Sequence, residues 1–234
     1  MLSGIKSTVK NIPILGSVAI SIATRFSKTS KLRFQNSAQY WEDRYKLGGN
    51  SGSGSYNQLA AFKAEIINAF IEKHGLNTIV EFGCGDGEQL KLASYPKYVG
   101  FDVAPTSVEM CKEKFSHNEN YNFFLVGGDE YNSRKTYDVA LSLDVIQHLI
   151  EDEVYEAYMK NLFSASDRFV IIYAYSFEKI YASKHERGRD FLAWIHENIE
   201  DWRLLQKIDN RYPYDPKNPS KTSQADFYIF EKSN

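Results

Sequence analysis

Apolar and polar positions change period several times along the 234-residue chain. Residues 12–24 form an apolar stretch of about 13 residues, short of the ~20 that a membrane-spanning helix needs. Leu59, Phe62, Ile66 and Phe70 recur at helical spacing, and Gly75 follows as a stop signal, so a helix is expected there. From residue 77 onward short apolar runs alternate with amphipathic ones. Strands are predicted over 78–82, 98–101, 121–126, 137–143 and 168–173. A helix opens at Pro105 with Val108, Cys111 and Phe115 on one face, and another covers 151–163. Two further strands, 202–208 and 225–231, close the pattern.

Strand and helix alternating at this spacing predict an α/β fold: a doubly wound, Rossmann-like and mainly parallel sheet of about seven strands with helices on both faces. The length suits one such domain, assigned to residues 41–234, preceded by an arm over residues 1–40.

Charge separates these two parts. Of the 28 basic residues, six fall within the first 41 positions, which hold no acid; 22 remain against 30 acidic residues. An acidic body is a poor phosphate binder, so no nucleic-acid partner is expected. The basic, apolar-centred segment suits either peripheral contact with an anionic membrane surface or a packing or disordered arm. The two cysteines, Cys84 and Cys111, have no C-x-x-C or His-rich surroundings, so neither a disulfide framework nor a metal site is expected and the chain reads as cytoplasmic.

In a doubly wound sheet, ligands bind beyond the carboxyl ends of the strands. There this chain places Glu81, Phe82, Gly83, Cys84, Gly85, Asp86 and Gly87, then Asp102 at the end of the next strand, Asp129, and the segment Ser142, Leu143, Asp144. Glycines at alternate positions allow a tight turn on which a nucleoside can pack, and Asp102 is placed to accept hydrogen bonds from both ribose hydroxyls. A nicotinamide dehydrogenase would share these features. Its pyrophosphate site uses G-x-G-x-x-G, however, and Asp86 inside the present turn would repel a diphosphate.

The run from Glu81 to Gly87 resembles the first signature motif of class I S-adenosylmethionine-dependent methyltransferases. The resemblance implies S-adenosylmethionine as cofactor, held by Glu81, Gly83, Cys84, Gly85, Gly87, Asp102, Val103, Asp129 and Leu143. It also implies that Asp129 meets the adenine amine and that the segment through Asp144 faces the methyl donor. A narrower likeness is to bacterial enzymes that modify small molecules or glycans. It is carried by Trp41, Arg44 and Tyr45, the loop at 48–52 and the closing Asp226, Phe227, Tyr228, Ile229.

Methyl transfer is an in-line displacement that chiefly needs alignment, plus a base where the acceptor is a hydroxyl. His148, just after the donor-facing segment, is the candidate base, with Asp144 beside it as a second catalytic candidate. Tyr40, Arg44, Ser51, His185, Arg187 and Arg211 are candidates for holding the acceptor, the arginines because they suit anionic groups. The expected activity is O-methylation of a small-molecule or glycan hydroxyl. N- or carboxyl methylation, and a non-catalytic methyltransferase-like binding or scaffold protein, are the alternatives. A nucleic-acid methyltransferase is disfavoured because no Asn or Asp followed by Pro-Pro and an aromatic residue stands after the fourth strand.

Overall fold

A computed structural model describes residues 32–133 and 135–233. In chain order it holds α1 (Ser37–Lys46), α2 (Asn57–His74), β1 (Thr78–Phe82), β2 (Lys97–Asp102), α3 (Pro105–Lys114), β3 (Tyr121–Leu125), α4 (Asp129–Asn132) and β4 (Tyr137–Leu143). These are followed by α5 (Asp152–Ser164), β5 (Ser166–Ala174), β6 (Lys179–Ile180), β7 (Arg187–Gly188), α6 (Phe191–Asn198), β8 (Trp202–Ile208) and β9 (Asp226–Lys232). Seven strands form one sheet in the order β3-β2-β1-β4-β5-β9-β8. β1 to β5 run parallel, whereas β9 is antiparallel to both β5 and β8. Strand order reverses between β1 and β4, which opens a crevice at their carboxyl ends.

Alternation along each strand explains why both faces are covered. Ile79, Leu141, Ile171, Phe227 and Ile229 point to one side, where they join Phe62, Ile67, Phe70 and Ile71 of α2 and Val108 and Cys111 of α3. Their neighbours Val80, Ala140, Val170, Ile172, Tyr228 and Phe230 point to the other, against Tyr155, Met159 and Leu162 of α5 and Phe191 and Ile195 of α6. Gly75 ends α2 in the left-handed conformation with its amide on the Ile71 and Glu72 carbonyls, as the stop signal predicted.

α1 lies at the crevice rather than in the core. Ser37 donates its amide and hydroxyl to Glu151 at 2.9 and 2.6 Å, while Glu42 accepts from the Thr106 amide and hydroxyl at 3.0 and 2.9 Å. The helix is thereby tied to the start of α5 at one end and to α3 at the other. The arm boundary drawn after residue 40 falls inside α1. Most of the proposed arm, and with it the membrane contact, falls on residues 1–31, outside the described residues. Among the described residues no helix is long and apolar enough to cross a membrane.

Candidate functional site

The crevice is a cavity of about 570 Å3 whose wall includes Glu81, Gly83, Cys84, Gly85, Asp102, Val103, Leu143, Asp144 and His148. It is built around the turn after β1. Gly83, Gly85 and Gly87 all have positive φ, at 89°, 58° and 72°. The amides of Gly83 and Cys84 both donate to the Phe101 carbonyl, at 2.7 and 3.1 Å, and fold the turn over the end of β2. A Cβ on Gly83 would come 2.5 Å from Cγ2 of Val145, and one on Gly85 would collide with Oγ of Ser51. Glycine is thus required here both by backbone conformation and by what packs against it.

Two carboxyl groups back the turn. Asp102 accepts from the Gly85 amide at 2.9 Å through Oδ2 and from the Ala104 amide at 2.9 Å through Oδ1. Its orientation is fixed, and each oxygen keeps a further lone pair for a ligand hydroxyl. Burial raises its pKa, and the backbone amides oppose that shift. Glu81 is buried, accepts from the Tyr98 hydroxyl at 2.6 Å, and is pushed up to about 7 by burial, with that hydrogen bond opposing. Cys84 has a thiol held far above its usual range by its hydrogen bond with Cys111 and by burial, which suits a filler rather than a nucleophile.

Asp86, read above only as a group that excludes diphosphate, proves to be an anchor. It accepts from the Ser51 amide at 3.1 Å and the Tyr56 hydroxyl at 2.8 Å, while its own amide donates to Ser51 Oγ at 2.9 Å. Ser51 Oγ also lies 3.1 Å from the Tyr45 hydroxyl. The glycine-rich loop at residues 48–55 is therefore clasped onto the turn, and Ser51 and Ser55 form part of the cavity wall.

Beyond β4 the chain changes direction at Asp144, a non-glycine residue with φ 59°. Its Oδ2 pairs at 2.7 Å with Lys63, a buried residue of α2. One turn on, His148 Nδ1 lies 2.9 Å from the backbone carbonyl of His185. An oxygen acceptor there assigns the proton to Nδ1 and leaves Nε2 as the basic nitrogen. The ring packs edge-on against Trp41, with centroids 5.0 Å apart. Burial lowers its pKa, partly offset by the His185 carbonyl and the charge of Asp144, so the imidazole is neutral at physiological pH.

The other acceptor candidates do not meet in the cavity. Of the six, only Ser51 lies in its wall. Tyr40 is buried and stacks on the His185 ring, with centroids 4.2 Å apart. Arg44 donates to the Asn50 carbonyl at 2.6 Å and lies over Trp41. Arg187 pairs with Asp152 at 2.9 Å, and Arg211 makes a bidentate pair with Glu65 at 2.6 and 2.8 Å. These guanidinium groups are occupied by the fold, a fact that sequence, which shows charge but not partners, conceals. Asp129 is exposed at the first turn of α4 and outside the cavity wall; Val126 and Tyr131 stand in the wall on that side instead.

Trp41 and Tyr45, noted in the sequence only for a likeness and given no site role, also stand in the wall, together with Lys63, Gln89 and Tyr158, which were missed in the sequence. Tyr158 donates toward the Phe82 carbonyl at 3.0 Å and Ser142 Oγ at 2.7 Å, bracing β1 against β4 where they separate. Gln89 donates to the Ala60 carbonyl at 3.0 Å, while its buried Oε1 has no partner. The one available signal for Lys63 was a lysine set among the apolar positions of a helix.

Residues 80–166 match the family model described as a methyltransferase domain. Over 124 residues, 48% of the chain, it is 31% identical to malonyl-[acyl-carrier protein] O-methyltransferase 1 of Ilyobacter polytropus, and it spans 45% of that relative's length. Among solved structures it is similar to the magnesium protoporphyrin IX methyltransferase of Synechocystis PCC 6803 with bound S-adenosylhomocysteine. The TM-score is 0.56 and the identity 14%, over 90% of this chain and 94% of that one. It is also similar to mitomycin 7-O-methyltransferase, with TM-score 0.58 and 13% identity over 91% of this chain and 67% of that one.

Proposed function

We propose that this chain, which carries a methyltransferase domain of the class I fold, transfers the methyl group of S-adenosylmethionine to a hydroxyl of a small-molecule or glycan-type acceptor. The observation that carries the reading is His148, held by the His185 carbonyl with Nε2 as its basic nitrogen and kept neutral by burial in the wall of the same cavity as Asp102 and the glycine turn.

The wall fits the cofactor. Asp102 offers both carboxylate oxygens to a ribose, the turn at Gly83, Cys84 and Gly85 lines the wall beside it, and Val103, Val126 and Tyr131 supply an apolar rim for a base. Near the turn, Glu81 and the partnerless Oε1 of Gln89 are acceptors suited to an ammonium group. When bound, S-adenosylmethionine supplies an electrophilic methyl carbon on a sulfonium.

The remaining work belongs to the chain. The 48–55 loop is clasped through Asp86 onto the turn and brings Ser51 and Ser55 to the cavity wall. Asp144 places negative charge at the carboxyl end of β4, and Nε2 of His148 takes the hydroxyl proton as the acceptor oxygen becomes nucleophilic. Proton acceptance by a base is superfluous for a carboxylate acceptor, which favours the hydroxyl over the carboxyl alternative. The charge balance of the wall agrees: among its described residues Lys63 is already paired with Asp144, and Asp86, Asp102, Glu151 and Glu153 are acidic. Such a wall suits a cationic sulfonium and a neutral acceptor better than an anion.

The test is an acceptor panel scored by released S-adenosylhomocysteine, holding sugars, phenols, amines and free carboxylic acids. Turnover with hydroxyl compounds that His148→Gln abolishes is expected. Turnover confined to carboxylic acids and indifferent to His148→Gln would overturn the hydroxyl reading.

A further inference from the structure

Lys63 stands in the middle of α2, on the face that carries Leu59, Phe62 and Ile67 into the core, and is 1% exposed. Its chain carries the ammonium to the carboxyl edge of the sheet, where Nζ meets Asp144 Oδ2 at 2.7 Å and lies 5.1 Å from the centroid of the Tyr173 ring. An ammonium withdrawn from water is unfavourable unless it is paired, so this position needs the partner that Asp144 provides.

Asp144 is constrained from three directions. Its left-handed backbone, φ 59°, is one that side-chain-bearing residues rarely adopt. Its amide donates to the Tyr173 carbonyl at 2.9 Å. Gly54 of the clasped loop sits so near that a Cβ there would lie 2.6 Å from Oδ2. α2 and the loop thus meet the carboxylate and β5 holds the backbone of one residue, which lines the same cavity as the glycine turn and His148.

We propose that Lys63 is a positioning residue of the transfer reaction: it holds the Asp144 carboxylate in the left-handed turn after β4 and so sets the charge that His148 faces. The inference rests on the reading of His148 as proton acceptor. Charged and titratable groups facing His148 come from three elements: Asp144 after β4, Arg44 on α1, and His185 in the segment between β6 and β7. Asp144 favours the imidazolium and Arg44 opposes it. Lys63, by neutralising Asp144, weakens the first of these influences and keeps the imidazole free of its proton. It reaches His148 only through Asp144.

The test is a histidine side-chain NMR titration of the full chain, with the His148 signal identified by its loss in His148→Gln. Removing the ammonium in Lys63→Met should raise the His148 midpoint by roughly half a unit to one unit, and Asp144→Asn should lower it by a similar amount. Lys63→Arg, which keeps the pair, should restore the wild-type midpoint. Lys63→Gln, which retains a hydrogen-bond donor without charge, replaces Lys63→Met should the latter fail to fold, with the same expected rise. A merely structural Lys63 would change stability and leave the midpoint where it was, so an unmoved midpoint in the charge-removing variants overturns the proposal. Calorimetry with S-adenosylhomocysteine on the wild-type chain separates the two claims. Absence of binding sinks the methyl-transfer reading, whereas binding together with an unmoved midpoint sinks only the role of Lys63.

Discussion

Ser51 and Asp86 exchange hydrogen bonds in both directions: the Ser51 amide donates to Asp86 Oδ2 at 3.1 Å, and the Asp86 amide donates to Ser51 Oγ at 2.9 Å. A loop whose composition is that of a flexible linker is thereby fixed on the turn that begins the cofactor site. Asp86→Ala should release it. About a tenfold loss of S-adenosylhomocysteine affinity is expected, since a hydrogen bond to a charged group contributes roughly 1.5–3 kcal/mol and the part-buried clasp stands at the low end of that range. Faster hydrogen exchange over residues 48–56, measured by mass spectrometry, is expected with it. Unchanged exchange there would show that the clasp is not what orders the loop.

Gly85 tests the same contact from the other side. An alanine at φ 58° costs about 1–2 kcal/mol in backbone conformation alone, and its Cβ would displace Ser51 Oγ. Gly85→Ala should therefore lose both stability in urea titration and cofactor affinity in calorimetry. Gly52→Ala is the informative comparison: its φ is also positive, at 90°, but nothing lies within 4 Å of the added Cβ. It should lose stability with little loss of affinity.

The mainly parallel sheet, the existence of the two late strands and the β1 turn were legible in the sequence because each is a local matter of period, glycine spacing or an acid at a strand end; that β9 runs antiparallel was not. Pro105 and Gly75 likewise act where they stand, and α3 and α2 begin and end at them. Partnership was not legible. Arg187 and Arg211 read as free cations because nothing local reveals that Asp152 and Glu65 meet them from 35 and 146 residues away. Lys63 and Asp144 are 81 residues apart, and only the packing of α2 across the strand ends makes them a pair. Asp129 followed a glycine in the expected manner, yet it stands exposed on α4 and outside the cavity wall, a placement that period does not encode.

pH dependence follows from the direction of the His148 shift. The neutral imidazole is the active form, and burial holds its pKa below the ordinary histidine value. Activity should thus be flat through neutral pH and fall only on acidification below the usual histidine range. His148→Gln should remove that acid limb and lower kcat by about 10²–10⁴-fold, the usual span for loss of a general base. An acid limb that persists in His148→Gln would assign it to another group.

Glu81 gives a stability signature of opposite character. Its folded pKa, near 7, exceeds the ordinary carboxylate value because of burial, so the folded state holds a proton that the unfolded chain has released. Between about pH 4.5 and 7 this group's contribution to stability is lost as pH rises. Urea midpoints of the wild-type chain should fall across that window relative to those of Glu81→Gln. Parallel pH profiles for the two would show that Glu81 is ionised in the fold.

Breaking the buried pair should be costly. Lys63→Ala leaves Asp144 without its partner and is expected to destabilise by about 3–5 kcal/mol, read from urea denaturation. A loss below about 1 kcal/mol would mean that the pair is solvated and free to separate.

Cofactor binding at Asp102 decides most directly. Titration calorimetry of the chain with S-adenosylhomocysteine should give saturable one-site heat. Asp102→Ala should weaken the affinity by about 10–100-fold, since a charge-assisted hydrogen bond contributes roughly 1.5–3 kcal/mol. No heat with the wild-type chain, or an affinity that Asp102→Ala leaves unchanged, would contradict a methyl-donor site in this cavity.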